Sequence, residues 1–78
     1  PFHEVVLIQR LAIIHRVLAA LPSGQHSAWT GVVEHGRSCA DVARQLDVPV
    51  GTVRSRVSRV RAAIRQAMEE AEHGPPGG

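Results

Sequence analysis

No lysine and no tyrosine occurs in this chain of 78 residues, and tryptophan, phenylalanine, methionine and cysteine occur once each. Each gap excludes something. With aromatics at only 3%, there is no row of rings on which unpaired bases would stack, and any core has to be built from Ala, Val, Leu and Ile. A single cysteine, Cys39, closes no disulfide within the chain, so the expected compartment is the reducing cytoplasm. Long hydrophobic runs are missing as well. Gln9, Arg10, His15 and Arg16 interrupt the apolar stretch from Val5 to Leu21, which leaves nothing able to span a bilayer. A start at Pro1 reads as a piece of a longer protein.

What is present is 44% apolar residues in a chain short enough for one domain with a modest core. Positive charge rests entirely on arginine, and unevenly. Residues 1–36 balance to zero, residues 37–65 hold seven arginines against Asp41 and Asp47, and residues 66–78 carry Glu69, Glu70 and Glu72. A neutral front followed by a basic block is the footprint of a phosphate-binding surface, or of an ordinary solvated helix face.

Leu7, Leu11, Ile14, Leu18 and Leu21 recur at a 4-3-4-3 spacing, which predicts a first helix over about residues 4–20 that Pro22 ends. Val6, Ile13 and Val17 fall on a second stripe about 100° round. That is more apolar surface than one core face needs, so these three residues are the expected partner surface unless the packing wraps further round the helix. A second helix is expected over about residues 25–34, stopping near Gly36. Gly31 and the β-branched Thr30, Val32 and Val33 weaken it, so Trp29, Val32 and Val33 must compensate by packing.

Ser38, with Asp41 three residues on, predicts an N-cap that opens a third helix over 39–46, its inner face being Val42, Ala43 and Leu46. Asp47 then tolerates the left-handed turn, and Pro49 leads into a fourth helix from Val50 to about Ala71. The expectation is an all-α, four-helix domain over residues 1–72, with "HGPPGG" at 73–78 as a disordered tail.

A short helix, a three-residue turn and a longer helix make a helix-turn-helix, here without winged elements, whose second helix enters the major groove of DNA. With Val53, Val57, Val60 and Ile64 turned inward, Arg54, Ser55 and Ser58 are the candidates for base edges. Thr52, Arg59, Arg56 and Arg37 are the candidates for the DNA backbone. Arg56 is equally well placed to pair with Asp41 or Asp47.

The stretches "LAALPSGQ" and "SCADVARQLDVPVGTVRSRVSRVRAAI" resemble the fourth domain of bacterial sigma-70-type transcription initiation factors, most closely the extracytoplasmic-function group. The resemblance covers roughly residues 17–65. It implies recognition of the promoter minus-35 element by the last helix, docking on the β-flap of RNA polymerase, and an anti-sigma factor as a further partner. It carries the base-reading positions to Arg54, Ser55 and Ser58, and a backbone position to Arg59. The chain departs from the pattern at Ala28, Trp29, Thr30 and Gly31, where relatives have a run of leucines. It departs again at Arg37, which replaces an apolar residue, and at Ser58, which is often larger.

Two alternatives stand beside this reading: the output domain of a LuxR-type response regulator, which shares the "GTV" motif and pairs through its last helix, and a sigma-like module acting mainly through an anti-sigma protein. Nothing resembles a nucleophile with its base, a carboxylate pair or a phosphate-cradling loop, so no enzyme is expected. His35 and Cys39 are separated by Gly36 and the cap at Ser38, so neither a metal nor another cofactor is expected.

Overall fold

The computed structural model describes residues 2–73, which form four helices: α1 (Phe2–Ala19), α2 (Ser23–Trp29), α3 (Cys39–Leu46) and α4 (Val50–His73). A π-helical turn over Thr30–Glu34 prolongs α2. Of the expected tail, His73 is the last residue of α4, and residues 74–78 lie outside the described part.

Local chemistry sets the boundaries of α3. The Ser38 hydroxyl accepts the Asp41 amide at 3.1 Å, which satisfies a donor that the first turn leaves free. The Asp41 carboxylate does not reach back to complete a capping box; it pairs with Arg44 one turn on. At the other end Asp47 adopts φ 56° and ψ 50°, and the Val48 amide donates back to the Ala43 carbonyl at 3.0 Å. The Pro49 carbonyl accepts from Thr52 and Val53, and α4 begins.

Ala28, Val42, Ala43, Val53 and Val57 form the buried cluster, with Trp29, Val32, Cys39, Leu46 and Val48 packed around it. Val60 is buried as well. Side chains this small stabilise through close approach, and each fully buried valine contributes about 1.5–3 kcal/mol. The closest approach is at Gly31, where a Cβ would stand 2.7 Å from Cγ2 of Val42. Here the helix widens: the His35 amide donates to the Thr30 carbonyl at 2.9 Å and the Arg37 amide to the Gly31 carbonyl at 3.0 Å, before Gly36 turns the chain at φ 68°. The expected second helix thus exists, but its last turn is of the π type. Val32 packs on the core, while Val33, expected to join it, is exposed.

The first helix differs more from expectation. No residue of α1 is fully buried. Val6, Gln9, Arg10 and Ile13 line a narrow cleft with Met68, Ala71 and Glu72 near the end of α4, and Arg10 meets Glu72 at 3.9 Å. From there α1 runs back toward α2, which packs on the first half of α4, so α1 and α4 are antiparallel. Val6, Ile13 and Val17, expected to await a partner, are half-buried together with Ile14, Leu18 and Leu21 of the first stripe, so the packing wraps round both. Leu7 and Leu11, expected to face inward, are 58% and 55% exposed. The reason is that α1 is apolar on nearly every side. Its own sequence directs no face inward, and the Met68–Ala71 surface of α4 makes the choice. The molecule measures 45 × 28 × 15 Å, and among the described residues no helix is long and apolar enough to cross a membrane.

Candidate nucleic-acid interface

Buried Val53, Val57 and Val60 bolt one side of α4 to the core, and Ala43 of α3 is small enough for the two helices to cross closely. With 3.6 residues per turn, the opposite side presents Gly51, Arg54, Ser55, Ser58 and Arg59, all exposed. Thr52 is half-buried at the edge of this face. The helix offers bidentate guanidinium donors and short hydroxyls along one outward ridge about 10 Å long, the width of a few base pairs.

The seven arginines of the basic block divide by their surroundings. Arg44 is paired with Asp41, and Arg37 is exposed and donates to Oε1 of Gln45 at 2.9 Å. Arg54, Arg59, Arg61 and Arg65 are exposed along α4. Arg54, Ser58 and Arg61 also edge a cleft of about 250 Å³ whose remaining lining is Val32, Cys39 and Val57. Arg56 is the exception. It is half-buried, and its guanidinium lies over Gly24, where a Cβ would come within 3.1 Å of Cζ. Arg56, expected on the DNA backbone, therefore packs against α2, and it pairs with neither Asp41 nor Asp47. Its position on α4, between the buried Val53 and Val60 flank and the open face, turns it toward α2.

Two further positions stand open at the start of α4, where the sequence reading expects free amides suited to phosphates. Val50 is 38% exposed at the open tip of α4, and Gly51 has nothing within 4 Å of where a Cβ would be. Thr52 and Val53 already donate to Pro49, so the amides of Val50 and Gly51 are the ones left for an anion at this helix end. Pro49 was the signal for them, since a proline just before a helix marks where its free donors begin. Among the described residues no three His, Cys, Asp or Glu side chains gather as metal ligands would.

A family model described as Sigma-70, region 4 matches residues 11–64, which include the core, the turn and the outward ridge of α4. The chain is 40% identical over 58 residues to the RNA polymerase sigma-H factor of Pseudomonas aeruginosa, covering 74% of this chain and 30% of that protein. It is 38% identical over 61 residues to the ECF RNA polymerase sigma factor SigM of Mycobacterium tuberculosis, covering 78% of this chain and 31% of the relative. The RNA polymerase sigma factor HrpL of Pseudomonas syringae pv. syringae is 31% identical over 67 residues, 86% of this chain and 36% of its own length. The chain spans about a third of the length of these relatives. With the match running through the helix-turn-helix and its outward ridge, the chain belongs to the sigma-70 region 4 family, as the DNA-binding domain of a sigma factor of the extracytoplasmic-function type.

Proposed function

We propose that this chain reads the promoter minus-35 element with the first three turns of α4 and, docked on the β-flap of RNA polymerase in the cytoplasm, directs transcription initiation. One observation carries the reading: Val53, Val57 and Val60 are at most 5% exposed, while Arg54, Ser55, Ser58 and Arg59 stand exposed on the opposite side. Only a helix pinned this way can enter a groove without unpacking its domain. Arg54 supplies a bidentate contact to guanine, a discrimination of about 1–3 kcal/mol. Ser55 and Ser58 reach shallower base edges, and Arg59, Thr52 and Arg37 hold phosphates and fix the register. The relatives, each named as a sigma factor of RNA polymerase, support polymerase as the second partner.

Selection from random duplexes, followed by titration at several salt concentrations, tests the proposal. Neutralising about three to five phosphates predicts a slope of log K against log salt of about −3 to −4.5. Arg54→Ala should flatten the base preference at one position and leave binding to random duplexes nearly unchanged. A flat salt response, or equal losses on selected and random duplexes, would show that this ridge does not read DNA. Docking is tested separately by co-purification with core polymerase.

A further inference from the structure

Four glycines lie among the described residues, and three of them answer to something inside the fold. Arg56 lies over Gly24, Val42 presses on Gly31, and Gly36 turns the chain with a positive φ. Gly51 answers to nothing there. It belongs to the first turn of α4, its φ is not positive, and a Cβ placed on it would meet nothing within 4 Å. A glycine in that setting weakens the helix, because it loses more backbone freedom on folding than alanine and packs against nothing in return. Its use therefore lies outside the chain. Taken at 100° per residue, Arg54, Ser55, Ser58 and Arg59 fall to either side of Gly51, none more than about 80° away. Gly51 is thus the first step on the centre line of the outward ridge, and like those four it is exposed.

We propose that Gly51 is bare so that the duplex can come close: the missing side chain sets how deep α4 enters the major groove, which makes Gly51 a positioning residue for Ser55 and Ser58. This rests on the DNA-reading role proposed for the ridge. The two serines carry the argument, because a hydroxyl one bond beyond Cβ reaches a base edge only if the backbone itself lies near it. Arg54 has no such need. Its long side chain follows a base that recedes by a bond length, whereas a hydroxyl hydrogen bond of about 2.8 Å is lost when stretched by as much. A Cβ on Gly51 would stand about 1.5 Å above the centre line and hold the duplex off by about that distance. Phosphate contacts are spared, since the side chains that make them reach out beside the ridge and need no depth. Bare backbone and short reading side chains belong together, and α4 has both.

Titration of the 78-residue chain against a duplex selected from random sequences, and against random duplexes, tests the proposal together with thermal unfolding. Gly51→Ala should raise Tm by about 2–5 °C, because nothing in the fold obstructs the new methyl. It should nevertheless weaken binding to the selected duplex about tenfold or more, and binding to random duplexes by less than about threefold. Ser55→Ala with Ser58→Ala should cost the parent chain about fivefold or more on the selected duplex, and cost a chain carrying Gly51→Ala nothing further, since the contact is already gone. Arg54→Ala should weaken both chains alike. Unchanged affinity of Gly51→Ala for the selected duplex, a fall in its Tm, or serine losses that simply add would overturn the proposal. Arg54→Ala tells such a failure from a failure of the ridge: if it still flattens the base preference, only the role of Gly51 falls, and if it changes nothing, the reading of DNA by this ridge falls as well.

Discussion

Gly31→Ala tests how tightly the π-helical turn sits against α3. The added Cβ would stand 2.7 Å from Cγ2 and 3.3 Å from Cγ1 of Val42, whose side chain is 1% exposed. Carbon atoms do not approach that closely, so one of the two helices must shift. Val42 has little freedom to yield, being β-branched within a helix and clustered with Ala28 and Val53. Overpacking of this kind costs about 1–3 kcal/mol. Alanine's better helix propensity offsets about 1 kcal/mol of it. The expected net loss is up to about 2 kcal/mol, a fall in Tm of up to about 16 °C for a domain of this size. Val42→Ala alone should cost about 1–3 kcal/mol through the cavity it leaves. Combined with Gly31→Ala, it vacates the space the new methyl needs, so the double variant should be more stable than the two losses predict, by about 1–2 kcal/mol. Urea and thermal unfolding followed by circular dichroism measure all three. A Gly31→Ala chain more stable than the parent, or losses that simply add, would refute the close approach.

Arg59→Ala should weaken binding to every duplex and make the salt slope shallower by about 0.9, whereas Arg56→Ala should leave that slope unchanged and lower stability by about 1 kcal/mol through packing lost over Gly24. Identical salt slopes for the two variants would place both arginines on the same side of α4. Ser38→Ala removes the cap of α3 and should cost about 1 kcal/mol in thermal unfolding. Ile13→Asp puts a charge into the cleft with Met68 and Ala71 and should destabilise the domain by about 2 kcal/mol or more, while Ile8→Asp should stay within about 0.5 kcal/mol. Equal effects of the two would mean that α1 is rotated from the orientation described.

The helix-turn-helix was legible because its signals are local. Ser38, Asp47 and Pro49 each act on the backbone within a few residues, and the valine spacing of α4 leaves only one way to face the core. The outward ridge of Arg54, Ser55, Ser58 and Arg59 followed from the same spacing. What resisted reading was decided by contacts distant in sequence. The orientation of α1 depends on a surface some sixty residues away, on a helix whose own apolar pattern is two-sided. Arg56 sits at the border between buried and open faces, and the bare backbone of Gly24, more than thirty residues earlier, is what draws it in. The π-helical turn answers to the approach of Val42 to Gly31, which no periodicity within residues 25–34 records.

The 24 residues of α4 run without a break from the outward ridge to the end that holds α1. At 1.5 Å per residue that is a rod of about 36 Å, and a rod fixes phase as well as distance. Lengthening it by one residue near Ala62 would turn the α1-bearing end by about 100° relative to the outward ridge. Lengthening it by seven would restore the phase to within about 20° and move α1 about 10 Å outward. The helix is thus both axle and ruler: α1 is held at a set angle and a set distance from the ridge proposed to read DNA.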